Sequence, residues 1–392
     1  MRDRSRFGTP FLPINPSTEE LNFYSAQMEL MGKYCLKHSG EYLAYLSTAY
    51  IARDMEEIRK ALQMKELNYY GLSYGSILGV TYANMFPENV GRMMFDAIVN
   101  PIDYFSDFFK FLNGLQDLDE TLEKFGEYCD ELPFANCSLS KLEHGIPALT
   151  TIDNVIESLK NQPILVTETD IPAVVTAEYA SMVLFESLYS ASLYPNISNA
   201  FYQASIGNGL PMIQLSEYIP FTSPQTTPSN ILKRNQPGLA TLCSDTDIST
   251  THYTLQEWKT QIKEYSNHTS MLGSRQWGWK FLSCRTWPRF EHTDRYTGPW
   301  NKQLKNPVLI IGTRYDPVTP WTSAQVLYDL MGKDHATNQN ARLLLHNGHG
   351  HGSISQISSC TMDIQIDYVL YGRLPPIDYV CEVDDPLFTI YE

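Results

Sequence analysis

The chain has 392 residues, 43% hydrophobic and 19% charged, enough apolar material for one large core or for a core with a sizeable insertion. Its formal charge of −15 argues against nucleic acid or an anionic membrane surface as a partner, because phosphates would be repelled. No stretch reaches the ~18 uninterrupted apolar residues of a membrane span, and the basic start, MRDRSRFGTP, has no apolar run behind it that reads as a secretory signal.

In chain order, the first forty residues offer only FLPI, residues 11–14, as a strand. STAYIARDMEEIRKALQ then reads as a helix, capped by Ser47 or Thr48, with Ile51, Met55, Ile58 and Leu62 recurring on one face. A polar turn leads into LNYYGLS, a short buried strand over residues 67–73. The next helix carries Gly75, Gly79 and Ala83 four residues apart, so one face is nearly bare and can press on a sheet, and Pro87 ends it. RMMFDAIVNP is another apolar run of strand length. Residues 47–101 therefore read α-β-α-β, the repeat of a parallel sheet covered by helices.

From about 103 to 300 the alternation stops. Helical stretches such as DYFSDFFKFLNGL, LDETLEKFGEYC and EYASMVLFESLYSASLY alternate with Pro/Ser/Thr-rich connectors such as YIPFTSPQTTPSN. The strand signal returns at NPVLIIGTRYDPVTP, followed by a helix from Pro320, a strand ARLLL running into a glycine-rich loop, and a closing helix CTMDIQIDYVLYGRLP. The expected organisation is a sheet domain at 1–102 and 301–392, interrupted by a mostly helical cap insertion at 103–300.

At the junction of the strand at 67–73 and the helix behind it lies Gly71-Leu-Ser73-Tyr-Gly75. Strand, Gly-x-Ser-x-Gly, helix is the pattern of a nucleophile elbow. A serine in so tight a turn is strained and held clear of the sheet, its neighbours must lack side chains, and the helix that starts there aims its positive end at a developing oxyanion. The same residues also suit a glycine-rich turn made for close packing. A hydroxyl needs a base and a carboxylate, which this kind of sheet supplies on later loops in the order Ser, acid, His. Asp316, just past the strand VLIIGTRY, fits the acid, with an Asp-Pro turn as the plain alternative. Asp96 is a rival acid, but its apolar strand context points to a structural role. His346, His349 and His351 all follow or end the strand RLLL, and Gly348, Gly350 and Gly352 make a loop able to carry an imidazole to Ser73. A metal-binding tract is the weaker reading, since no cysteine or carboxylate stands at ligand spacing. Nothing in the sequence calls for a metal or organic cofactor.

Seven cysteines are present, and Cys129 with Cys137, Cys243 with Cys284, and Cys360 with Cys381 are spaced so that they can form local or loop-closing pairs, leaving Cys35 alone; the sequence does not fix the pairing. Reduced core thiols are the alternative for an intracellular chain. Asn136-Cys-Ser, Asn196-Ile-Ser and Asn267-His-Thr fit the glycosylation acceptor pattern and point to a secreted glycoprotein.

LNYYGLSYGSILGVTYANMFPENVGRMMFDAIVNPIDY resembles the nucleophile region of the tripeptidyl-aminopeptidase-like serine hydrolases, secreted α/β-hydrolases of the proline-iminopeptidase clan. YTGPWNKQLKNPVLIIGTRYDPVTPWTSA resembles their acid segment, and GHGSIS with the later cysteines and LYGRLPP resembles their histidine segment. The resemblance runs from about residue 30 to the end and is loose in the insertion. It implies Ser73 as nucleophile, Asp316 of Asp-Pro-Val-Thr-Pro as acid, and His351 of Gly-His-x-Ser as base. It also implies removal of short peptides from a free N-terminus, with cap carboxylates holding the substrate ammonium. Glu178 and Glu186 are candidates for that role, although a solvated helix face suits them better. Where the family commonly has cysteine after the histidine, this chain has Gly352, so a disulfide there is lost. The glycine-rich loop and leading strands that precede the nucleophile helix in the family have no counterpart, so the expected fold is an α/β-hydrolase sheet lacking its N-terminal strands and exposing an apolar edge. Either the chain is an N-terminally incomplete form of a secreted hydrolase, or residues 1–30 fill the place in another way. The N–H of Tyr74 supplies one oxyanion donor, the second is unassigned, and loss of one donor typically slows such chemistry about 100-fold or more. Three readings follow: an exopeptidase, an esterase or acyltransferase on a non-peptide acyl substrate, and a silent hydrolase-like binding module. Oligomeric state is not readable.

Overall fold

The computed structural model describes residues 16–169, 172–219, 238–247, 253–290, 293–332 and 340–389. The expected strand at 11–14 and most of the connector at 218–230 lie outside these residues.

The central sheet has five strands: β1 (Leu67–Leu72), β2 (Val90–Asp96), β5 (Val308–Tyr315), β6 (Ala341–His349) and β7 (Tyr379–Glu382), in the order β1-β2-β5-β6-β7. Every pairing in it is parallel. The insertion therefore leaves after β2 and the chain returns as β5 directly beside it, so both halves of the chain build one sheet. β5 is buried along its first six residues, as a central parallel strand covered on both faces should be. β1 is the edge strand of the described sheet, and Tyr70 on it is 44% exposed.

Helices α1 (Thr18–Ser39), α2 (Thr48–Ala61) and α3 (Tyr74–Met85) precede or connect the first strands. Ser47 caps α2, its side chain accepting the Tyr50 N–H. On α3 the bare face is used as the spacing predicts. A Cβ added at Gly79 would stand 2.5 Å from Phe95 and 2.7 Å from Tyr69, so the helix lies against β1 and β2 at a distance only glycine permits. Gly71 is tighter still: its Cβ would fall 2.2 Å from the Gly75 carbonyl oxygen. Gly71→Ala is expected to destabilise the fold by about 3 kcal/mol, because the obstacle is backbone and cannot swing away. A lowered urea midpoint with unchanged slope checks this; an unchanged midpoint contradicts it.

The insertion is mostly helical: α4 (Leu118–Glu131), α5 (Ala148–Asn161), α6 (Ala177–Ser187), α7 (Tyr194–Ser205), α8 (Leu210–Tyr218), α9 (Leu255–Ser266) and α10 (Met271–Lys280), with an antiparallel hairpin of β3 (Ile164–Val166) and β4 (Ala173–Val175) that the sequence reading does not anticipate. Two readings are corrected. The run 103–115 forms only a short helix to Tyr104 and a 3-10 turn, and the run 178–194 breaks after Ser187 before α7 begins. The insertion has its own core, in which Phe109 and Trp258 meet at 4.8 Å and Phe125 packs edge-on to Tyr194. α1 belongs to this core, not to the sheet: Leu21, Tyr24, Met28, Met31 and Cys35 are buried in it, and the Tyr24 hydroxyl donates to the Trp279 carbonyl. Residues 18–39, placed with the sheet domain by the sequence reading, thus pack with insertion residues. α11 (Trp321–Met331) and α12 (Ser359–Tyr371) complete the sheet domain.

Cys129–Cys137, Cys243–Cys284 and Cys360–Cys381 are disulfide-bonded, as the sequence pairing expects, and Cys35 is a buried free thiol. The third bridge ties α12 to β7 at the far side of the sheet.

Candidate active site

β1 ends at Leu72 and α3 begins at Tyr74, so Ser73 alone makes the turn. It does so at φ 59°, ψ −122°, a conformation that costs an L-residue strain and is kept where the surroundings enforce it. Its N–H donates to the Asp96 carbonyl at 3.1 Å, and its hydroxyl is not spent on capping α3. Tyr74 is the first residue of α3, so no intrahelical carbonyl takes its N–H, which stands at the positive helix end. The Tyr74 phenol is anchored by Thr48 at 2.8 Å.

Asp316 lies just beyond β5 and is fully buried. Its Oδ1 accepts the N–H groups of Val318 and Thr319, and its Oδ2 accepts the Thr319 hydroxyl at 2.7 Å and the Gly352 N–H at 2.9 Å. The Asp-Pro turn given as the alternative is present, with the Val318 N–H on Oδ1, and it fixes the direction of the carboxylate. His351 Nδ1 is 3.1 Å from both Asp316 oxygens. Against an acceptor-only carboxylate Nδ1 carries the proton, which leaves the lone pair on Nε2. Gly350 and Gly352 flank His351 at φ +87° and +76°, so the loop needs glycine on both sides. The cap holds the same loop. The His351 N–H donates to the Tyr189 carbonyl at 2.8 Å, and the Tyr189 ring meets the imidazole edge-on at 5.1 Å.

The loop of His351 reaches the elbow through Gly352, where a Cβ would fall 2.9 Å from Leu72 Cδ1. Ser73 Oγ and His351 do not share a hydrogen bond; such contacts often tighten only around a substrate. The other two histidines stand apart from the carboxylate. His346 is buried with Nδ1 at 3.0 Å from the Thr361 hydroxyl, and burial pulls it down to about 4. His349 stacks on Tyr315 at 4.3 Å, and burial pulls it down to about 3. Asp96 is also buried but faces Ser353, not His351. Glu178 and Glu186 are half-buried on α6, a helix buried on most of its surface, so the expected solvated face does not exist there. Sequence reasoning missed Thr319, whose hydroxyl bonds Asp316 and also lies 3.2 Å from His351 Nδ1; its spacing of three from an aspartate was the available signal. It also missed Tyr189, which no local motif marks.

Burial opposes a charge on His351, but the charge and hydrogen bond of Asp316 and the charge of Asp96 outweigh it, and the imidazole is raised above its ordinary 6.5. A base must be neutral to accept a proton. Activity is therefore expected to fall with falling pH through an inflection above 6.5, read from a kcat/KM profile. An inflection below 6.5 contradicts this.

A parallel sheet with a strained serine between strand and helix, and a carboxylate and an imidazole delivered from later strand ends, defines an α/β-hydrolase. Two family descriptions agree: an alpha/beta hydrolase fold matches residues 24–133, and a TAP-like protein matches residues 270–381. Over these two segments the chain is similar to α/β-hydrolases and to TAP-like proteins. It is 26% identical over 367 residues to the tripeptidyl aminopeptidase of Streptomyces lividans and to that of Streptomyces coelicolor, covering 91% of this chain and 62% of each relative. It is 22% identical over 365 residues to the serine protease Hip1 of Mycobacterium tuberculosis, covering 90% of this chain and 65% of that protein. The chain thus spans about three-fifths of the length of the first two relatives.

Proposed function

We propose that this chain is a serine hydrolase that cleaves short peptides from a free N-terminus through an acyl-enzyme. Ser73 Oγ attacks the scissile carbonyl as its proton passes to His351 Nε2. Asp316 fixes the tautomer and balances the positive imidazole. The Tyr74 N–H takes the developing oxyanion. Collapse breaks the C–N bond, the proton moves from Nε2 to the leaving amine, and water then attacks the ester by the same route in reverse. The observation that carries the reading is the His351–Asp316 pair at 3.1 Å beside a serine held in an elbow. The names of the similar proteins, tripeptidyl aminopeptidase and serine protease, support a peptide substrate. Three disulfides, and the exposure of Asn196 and Asn267 in two of the three acceptor patterns, support a secreted glycoprotein.

One observation favours a second reading. Among the described residues the Tyr74 N–H is the one oxyanion donor identified, which suits a weakened or silent hydrolase-like binding module. Chromogenic tripeptidyl substrates with free and acetylated N-termini, set against short-chain nitrophenyl esters, test both. Release from the free tripeptide and not from its acetylated form is the expected result. Turnover of the esters alone contradicts the peptide substrate, and no turnover of any of them favours the binding module.

A further inference from the structure

Asp96 is a fully buried carboxylate that the proposed mechanism does not use. It ends β2, with Leu72 of β1 as its register partner on one side and Ile311 of β5 on the other. It therefore stands between the strand that delivers Ser73 and the strand that delivers Asp316. Its backbone carbonyl accepts the Ser73 N–H at 3.1 Å. Its carboxylate accepts the Ser353 N–H at 3.2 Å, the Ser353 hydroxyl at 2.5 Å and the Tyr70 hydroxyl at 3.0 Å. The Ser353 oxygen is in turn the acceptor for Gln365 Nε2 at 3.3 Å, so its own proton is directed to Asp96. The next residue, Ala97, is buried at φ 52°, strain that a purely structural strand end would not need.

We propose that Asp96 is a positioning residue for hydrolysis: it fastens the loop of His351 to the nucleophile strand and adds a second negative charge beside that loop. The inference rests on the serine-hydrolase reading of this site. Asp96 reaches His351 only through Ser353 and the loop backbone, so it acts by placement and field, not by touching the reacting atoms. Its charge is one of the causes that raise His351, after the larger effects of Asp316. Burial raises Asp96 itself, and the hydrogen bonds of Ser353 and Tyr70 work against that shift. Asp316 from the β5 loop and Tyr189 from the cap contact the imidazole, Glu186 acts on Tyr189, and Asp96 on β2 acts on the imidazole through its charge without contact. Asp96 in turn faces Tyr70 on β1 and, through Ser353, Gln365 on α12.

Asp96→Asn keeps the shape and removes the charge. In the full chain it is expected to lower kcat at least tenfold with KM within about twofold, and to move the acid-side inflection of the rate profile downward. A merely structural residue would not move the inflection. An inflection and kcat both unchanged overturn the proposal. NMR titration of His351 in Ser73→Ala, with and without Asp96→Asn, reads the same field without any turnover, so failure of the hydrolase reading is separable from failure of this one. A downward-shifted midpoint supports the proposal, and an unmoved one overturns it. Ser353→Ala, which takes away the hydroxyl arm of the tether and leaves the N–H arm and the Asp96 charge, is expected to lower kcat while leaving the melting temperature within a few degrees. An unchanged kcat in that variant contradicts the clamp, and this arm stands even if Asp96→Asn does not fold.

Discussion

Ser73→Ala is expected to abolish hydrolysis, by about 10⁴- to 10⁶-fold, while leaving the fold intact. In the proposed mechanism the reaction depends on that oxygen, because it is the atom that carries the acyl group. The fold does not depend on it: the hydroxyl caps nothing in α3, and the turn is held by the Ser73 backbone through its N–H to Asp96 and its carbonyl to the Ser76 N–H at 2.8 Å. Alanine also suits φ 59° no worse than serine, since both carry one Cβ. Turnover and thermal melting measured on one preparation check this. Activity retained to within tenfold contradicts the assignment of the nucleophile, whereas loss of both activity and folding contradicts the account of the turn.

Asp316→Asn should cost about 10⁴-fold in kcat, and it should also cost stability. The two effects have different origins. The loss of rate follows from His351, whose Nδ1–H needs an acceptor on both flanking oxygens and whose positive form needs the charge. The loss of stability follows from the other donors. Oδ1 accepts two N–H groups and Oδ2 accepts the Gly352 N–H and the Thr319 hydroxyl, so either orientation of an asparagine amide points its NH₂ at a backbone donor. At least one buried N–H is then left unsatisfied, at about 1–3 kcal/mol each. A kcat within tenfold of the parent contradicts the role of Asp316, and an unchanged melting temperature contradicts the count of donors.

Much of this site is legible from local sequence because the chemistry itself is local. Ser73 is marked by two glycines that the elbow geometry requires, and Gly71 has no room for a Cβ. Asp316 is marked by its position after a strand that is apolar enough to be central. Among three histidines at the end of β6, spacing alone left the choice open, and the resemblance of Gly-His-x-Ser pointed to 351; burial then separates the others, which pack against Thr361 and Tyr315. What stayed hidden is long-range. Tyr189 and Ser353 meet His351 and Asp96 only through folding, and no spacing in the chain announces that. α1 is a different kind of miss. Ser17 and Glu20 form a capping box, and Leu21, Tyr24, Met28, Met31 and Cys35 trace one buried stripe at helical spacing. Those signals are local and legible in the sequence. β7 gave little to read, since only Cys381 of its four residues is buried.

The most direct test is covalent. A fluorophosphonate added to the intact chain, followed by tryptic mass mapping, is expected to place the phosphonyl mass on the peptide 66–92, and fragmentation should assign it to Ser73 rather than Ser76. The adduct should be missing in Ser73→Ala and reduced in Asp316→Asn. No adduct on the parent chain, or one on any other serine, contradicts the account.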